Sequence, residues 1–234
     1  GLAGDKYYAP EAILGDYIEY DGSVLVIDPS GRGQDETAYA VVKMLNGYLY
    51  VSDCGGIQGG YDETTLTKLC NIAKEQKVNM VLIESNFGDG MFTELLKPFL
   101  RKIYPVTTEE VRHSKQKELR IIDTLEPVMN QHKLIIDPKV IQKDYDSVQH
   151  HPPEKAQRYM LTYQMTRITK DRGSLAHDDR LDALAMGVAY WVEQMAADVD
   201  MEMQERKDEL LRAEIDRFLT LDNVNSPKRA NTWI

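Results

Sequence analysis

Basic residues are in short supply: 28 Lys and Arg stand against 38 Asp and Glu, for a formal net charge of -10 and a pI near 5.0. A generic polyanion binder, which neutralises phosphates with a positive surface, is therefore not the first expectation. Cysteine is scarce too. Cys54 and Cys70 have neither metal-ligand spacing nor the density of a secreted scaffold, so structural thiols in a reducing, intracellular setting are expected. No apolar run approaches the about 20 residues that span a bilayer, and no charged-then-apolar leader opens the chain. A phosphate loop is missing as well: the cluster Gly55-Gly56-Ile57-Gln58-Gly59-Gly60 is followed by no lysine and hydroxyl pair, which excludes P-loop ATP hydrolysis. An initiator methionine is also lacking, and Gly1 to Pro10 reads as material from inside a longer polypeptide or left by a tag.

What is present is enough for one substantial core with an appendage: 234 residues, 42% of them hydrophobic. From Glu193 onward there are ten acids against six bases, so that tail carries -4 and the remainder -6. Within the remainder, acids recur at the ends of apolar runs. Val24-Leu25-Val26-Ile27-Asp28 and Met80-Val81-Leu82-Ile83-Glu84 are β-forming runs closed by a carboxylate, and His177-Asp178-Asp179-Arg180-Leu181-Asp182 opens a helical pattern with three.

In chain order the pattern predicts strands over 23–28, 37–45 and 48–53, with Asn46-Gly47 as a hairpin turn and the glycine cluster after Asp53 as a loop. A crossover helix over 64–75 leads to a strand over 80–84. Such a connection makes that strand parallel to its partner, so Asp28 and Glu84 can lie at the same end of neighbouring strands. A helix from 91 to 101 should turn Phe92, Leu95, Leu96 and Phe99 inward, and a strand is expected over 103–106. Arg112 to Lys117 leads into a helix carrying Leu119, Ile122 and Leu125, which Pro127 should kink or end. After a strand over 133–137 comes a segment from 140 that ends in the His150-His151-Pro152-Pro153 loop, then a helix over 159–168. A helix from 178 to 194 has Leu181, Leu184, Ala185, Val188 and Val192 on one face, and a charged helix over 195–221 bears a thin stripe of Leu211, Ile215 and Phe218. That stripe, or Trp233, is either a solvated, frayed end or a docking peptide.

Asp182 shares a helix side with Asp178 and Asp179. Like charges so close raise each other's pKa unless a cation is present. Asp178 or Asp179 could serve merely as a cap at the helix start; Asp182, beside the apolar face, is poorly explained that way. Phosphodiester hydrolysis is helped by two divalent cations about 3.5 to 4 Å apart, and hard ions such as magnesium or manganese want carboxylate oxygens from several elements. Asp28, Glu84, Asp179 and Asp182 meet that requirement, although strand-end acids also serve as turn formers. Arg112, Lys115, Lys117 and Arg120 are candidate phosphate contacts, or simply a solvated helix face. His113, His150 and His151 have no ligand spacing and read as surface histidines; Tyr159, Tyr163 and Tyr190 read as core residues before base-stacking ones.

The strings Ile27-Asp28-Pro29-Ser30-Gly31, Ile83-Glu84-Ser85-Asn86-Phe87-Gly88 and His177-Asp178-Asp179-Arg180-Leu181-Asp182-Ala183-Leu184-Ala185, in this order, resemble the nuclease domain of the large terminase subunit of tailed bacteriophages, podoviruses especially. Lys117-Glu118-Leu119-Arg120-Ile121 followed by Leu125-Glu126-Pro127 is similar to a further segment of that family. The resemblance implies an α/β, RNase H-like fold: a central mixed sheet with helices on both faces, plus a C-terminal helical tail. It implies a leader over 1–22 joined to an ATPase domain not contained here, a nuclease domain over 23–194 and a tail over 195–234. It further implies an endonuclease that cuts concatemeric double-stranded DNA with two Mg2+ or Mn2+ ions. Asp28 would bridge both metals and Glu84 bind one; Asp179 and Asp182, or Asp178 as in other relatives, would complete the site. The implied partners are the portal protein and the small terminase subunit, at the procapsid in the host cytoplasm.

Rival readings are a junction resolvase or transposase-type nuclease on the same fold, and a sugar-kinase or actin-like ATPase using Asp28 and the Gly31-Arg32-Gly33 turn. From another class comes an inert acidic module whose tail docks on a portal or capsid protein.

Overall fold

The computed structural model describes residue 8 and residues 18–30, 36–85 and 90–224, with side chains to residue 215. Most of the expected leader, the Gly31-Arg32-Gly33 turn, the centre of the turn after Glu84, Phe218 as a packing side chain, and Trp233 lie outside the described residues.

Six strands form one mixed sheet: β1 (Gly22–Asp28), β2 (Thr37–Leu45), β3 (Tyr48–Ile57), β4 (Met80–Glu84), β5 (Thr107–Val111) and β6 (Leu134–Ile136), in the spatial order β5-β4-β1-β2-β3-β6. The first three are antiparallel neighbours, the tight turn at Asn46-Gly47 taking positive φ at both residues (52° and 75°), as a two-residue hairpin demands. The β1–β4, β4–β5 and β3–β6 pairs are parallel. The helix α1 (Glu63–Glu75) makes the crossover to β4; its start is fixed by Asp62, which accepts a hydrogen bond from the Thr65 amide at 2.6 Å.

Alternation along the strands sends Leu25, Ile27, Val81 and Ile83 to one face, where they form a core with Leu66, Leu69 and Ala73 of α1 and Phe92, Leu96 and Leu100 of α2 (Met91–Ile103). The opposite face meets the helix α7 (Asp179–Val224). Gly187 is required there, because a Cβ at that position would fall 2.7 Å from Val42 Cγ2. One turn on, Trp191 packs its ring on Gly22 and donates from Nε1 to the Val42 carbonyl at 3.0 Å. The remaining helices are α3 (Lys117–Asn130), α4 (Pro138–Ser147), α5 (Pro153–Tyr159) and α6 (Leu161–Arg167). The chain divides into two compact units, Gly1–Trp191 and Val192–Ile234. Among the described residues no helix is long and apolar enough to cross a membrane.

Several sequence expectations need correction. β3 runs through Gly55 and Gly56 to Ile57 instead of ending at Asp53; the glycines are needed because a Cβ on Gly56 would collide with the Glu36 carboxylate, and one on Gly55 would press on the Tyr39 hydroxyl. α2 continues to Ile103, and the strand expected over 103–106 lies instead at 107–111. Its Thr-Thr-Glu-Glu-Val composition suits a sheet edge and hides it from a hydrophobicity criterion. Leu95 and Leu119 are exposed; Thr93 and Leu100 take the inward positions on α2, and Glu118, Ile121 and Val128 join Leu125 on α3. Pro127 does not end α3, which runs on through it to Asn130. The segment after Asp137 is the helix α4, capped by Asp137 with Pro138 in its first turn. The helix expected over 159–168 is split at Met160 into α5 and α6. Val192 is exposed, while residues 180–188 of α7 are buried on every side.

Candidate metal centre

Strand parity decides where the first two acids point. Val24 pairs with Met80, Val26 with Leu82 and Ile27 with Ile83 in parallel register, and both strands end one residue later, at Asp28 and Glu84. Partners in this register share a face, so Asp28 and Glu84 leave the sheet on the same side as Val26, which is the side that α7 covers. Their position at the carboxyl ends of adjacent parallel strands is the usual place for a ligand crevice in an open α/β sheet.

The third acid comes from the start of α7. Asp28, Glu84 and Asp182 each bring one carboxylate oxygen into a group whose members all lie within 4.8 Å of one another. Asp182 is fully buried at 0% exposure, and its amide donates to the Asp178 carbonyl at 2.8 Å, which closes the first turn. Asp178 and Asp179 are outside that group of three but joined to it through Lys117. The Lys117 ammonium stands 2.8 Å from Asp178, 3.2 Å from Asp179 and from Asp182, and 3.7 Å from Asp28. One turn further along α3, Arg120 places Nη2 2.7 Å from Asp182 Oδ1 and 3.8 Å from Glu84.

Electrostatics follow from this crowding. Burial pushes the Asp28 carboxyl well above its ordinary range; Lys117 opposes the rise, and Glu84, Asp179 and Asp182 add to it. Asp182 is pushed up to about 6, again by burial first, against the pull of Lys117 and Arg120 and with help from Glu84. Burial by itself would lower Lys117, yet the surrounding carboxylates of Asp182, Asp28, Asp179 and Asp178 together hold it well above its usual value.

Of the four basic residues singled out as phosphate contacts, Lys117 and Arg120 thus face the acids. Arg112 is exposed and donates from Nε to Ser85 Oγ at 3.2 Å, and Lys115 is exposed. The sequence reading missed this counter-charge role, although the i, i+3 spacing of Lys117 and Arg120 on one helix side was available as a signal. It also missed a buried ionic cluster behind α7, formed by Arg180, Glu36 and Asp144. His150 and His151 are not isolated: His151 stacks on Tyr159 with ring centroids 4.3 Å apart, and Tyr159 on His177 at 3.9 Å. Tyr159 and Tyr163 pack against a small core of Val148, Ala156 and Met160.

The donor set suits a hard divalent cation: it is all carboxylate oxygen, drawn from three elements, and Asp182 Oδ1 is buried with no aligned hydrogen-bond donor. Asp28, Glu84 and Asp182 could hold such an ion; Asp178 and Asp179 stand outside this group and pair with Lys117.

Residues 27–134 match the family described as Terminase Bacteriophage T7, Ribonuclease H-like domain. The terminase large subunit of Enterobacteria phage T3 is 46% identical over 190 residues, an alignment that takes in 81% of this chain and 32% of that protein. The chain therefore spans about a third of the length of that relative. Among solved structures, the human cytomegalovirus terminase nuclease domain, manganese-soaked and inhibitor-bound, superposes with a TM-score of 0.50 at 13% identity, covering 74% of this chain and 84% of that one. Another structure of the same viral domain gives the same TM-score of 0.50, with 74% and 85% covered. At such identity the likeness speaks for the fold.

Proposed function

We propose that the chain, as a member of the terminase RNase H-like family, cuts double-stranded DNA by metal-dependent phosphodiester hydrolysis at the Asp28, Glu84 and Asp182 centre. The observation that carries the reading is the convergence of these three acids, 56 and 98 positions apart along the chain, within 4.8 Å at the carboxyl ends of β1 and β4. Divalent cations held there would supply the positive charge that lets water attack a phosphodiester and the leaving oxygen depart.

The protein's own groups do the rest. Asp28, Glu84 and Asp182 would hold the metal, and Asp179, joined to them through Lys117, would complete the site. Burial of Asp182 excludes water from its side and leaves approach open from the Asp178–Asp179 side, where the acids are partly exposed. Lys115 and Arg112, both exposed beside this entrance in sequence, are the groups we assign to phosphate contact. Magnesium or manganese, concatemeric DNA as substrate, an ATPase domain on the same full-length chain, the portal and small subunit as partners, and a procapsid location in the host cytoplasm all belong to this proposal.

Plasmid cleavage in manganese is the test. Wild-type protein should nick and linearise plasmid, and Asp28→Ala and Glu84→Ala variants with unchanged circular dichroism should lose cleavage by at least about a hundredfold, as removal of a transition-state charge group does. Full activity in either variant would refute the assignment.

A further inference from the structure

On the side of α7 away from the metal centre, Arg180 is 1% exposed and spends three of its N–H groups on buried carboxylates and a fourth on the half-buried Ser147. Its Nε and Nη2 donate to the two oxygens of Glu36 at 2.6 and 2.8 Å, and Nη1 donates to Asp144 Oδ1 at 2.8 Å and to Ser147 Oγ at 2.9 Å. Asp144 in turn accepts from the Leu161 and Thr162 amides at 2.9 and 3.1 Å, which caps the start of α6. From α6, Gln164 returns a side-chain oxygen to the Leu181 amide at 3.0 Å. The first turn of α7 is therefore tied through Glu36 to the residue just before β2, to α4 through Asp144, and to α6 through Gln164. Gly56 leaves the space in which the Glu36 carboxylate lies.

We infer that Glu36, Arg180 and Asp144 are positioning residues that fix the rotation of α7 and thereby aim Asp182 at Asp28 and Glu84; the inference rests on the metal-centre reading above. Two considerations carry it. Residues 181–188 are buried on every side, so this stretch has no single apolar stripe to dictate which way it faces. At about 100° per residue, Arg180 and Asp182 project about 160° apart, so an anchor on Arg180 holds Asp182 on the opposite side. A buried ion cluster is also a poor source of stability compared with apolar packing, whereas fixing a register is its best-attested use. The planar guanidinium suits that task, because its fork bonds Glu36 at two points and so resists rotation in a way a single ammonium contact cannot.

The test measures Mn2+ uptake by electron paramagnetic resonance of free manganese, without DNA, in the wild type and in Arg180→Lys, Glu36→Gln and Asp182→Asn, with circular dichroism melts alongside. Arg180→Lys keeps the charge and loses the fork; should it fail to fold, Glu36→Gln keeps shape and chain length and answers the same question. The inference expects Mn2+ affinity in a folded anchor variant to fall about tenfold, with cleavage recovered at high manganese. Affinity within twofold of wild type in a folded, less stable variant would overturn it and leave a merely structural ion cluster. Wild-type protein that takes up no Mn2+, or takes up as much in Asp182→Asn, would overturn the metal-centre reading and this inference with it.

Discussion

Replacing Asp182 with asparagine should make the metal-free protein more stable while abolishing cleavage. Burial raises the Asp182 carboxyl from 3.8 to about 6 even with Lys117 and Arg120 beside it. At about 1.4 kcal/mol per pH unit, keeping that carboxylate ionised in the folded state at pH 7 costs about 3 kcal/mol relative to the unfolded chain. The sign follows from proton binding: between about pH 4 and 6 the folded state holds this proton more tightly than the unfolded state. Stability therefore falls as pH rises through that window, and the whole cost is present above it. Asparagine cannot ionise, and the attraction of the two basic groups is already counted in the displaced value. Its amide hydrogens fit poorly against Arg120, which takes back about 1 kcal/mol. A net gain of about 1–2 kcal/mol is expected at pH 7, or a rise in Tm of roughly 2–8 °C for a chain of this size. The assay is a set of thermal melts in EDTA from pH 4 to 8, for wild type and variant. The curves should meet near pH 4 and separate above pH 6, and added manganese should stabilise only the wild type. A Tm several degrees below wild type at pH 7 would refute the reasoning, because ionised Asp182 would then be a stabilising partner of Arg120 and not a strained metal ligand.

Lys117→Ala removes the ammonium that lies within 4 Å of four carboxylates, so the metal-free protein should melt earlier and Mn2+ affinity, read by titration calorimetry, should rise by about tenfold; unchanged affinity would show that the lysine does not compete with the ion. Trp191→Phe deletes the bond to the Val42 carbonyl and part of the packing on Gly22, and should cost about 1–3 kcal/mol in a denaturant melt without changing metal affinity per folded molecule.

Which parts of this fold were legible followed from how local their causes are. β2 and β4 have the predicted bounds, and the β1–β4 parallel pairing followed from the crossover rule, because strand periodicity and connection handedness are written in a few adjacent residues. β5 was not legible in place: an edge strand need not be apolar, and Thr107 to Val111 gains its partner only from β4. α4 was legible and overlooked, since Asp137-Pro138 is a helix-start signal. The extension of β3 through two glycines depends on the Glu36 and Tyr39 side chains filling the space over them, a contact across the sheet that no one-dimensional pattern carries. At the candidate site the same division holds. Asp28 and Glu84 were aligned by strand parity, whereas the turning of Lys117 and Arg120 toward the acids depends on how α3 docks, and their charge alone pointed to solvent or DNA.

The acidity of the chain and its proposed action on DNA are reconciled at the site itself. Five carboxylates, Asp28, Glu84, Asp178, Asp179 and Asp182, surround two basic side chains, Lys117 and Arg120, which leaves a formal -3 where the proposed reaction would bring a phosphate. Two divalent cations would turn that to +1. A phosphodiester is repelled before the ions arrive and attracted afterwards, so metal should bind before DNA, and duplex affinity should depend on metal far more than on any surface patch. Over a few ångströms at an effective dielectric near 20, each unit of charge is worth on the order of a few kcal/mol, enough for a hundredfold change in affinity even after screening. Fluorescence anisotropy with a labelled duplex, in EDTA and in calcium, magnesium or manganese, should show weak, salt-sensitive binding that strengthens at least tenfold with metal, and no such gain in Asp28→Ala. Nanomolar binding in EDTA at physiological salt would mean that a basic surface elsewhere holds the DNA and that metal need not bind first.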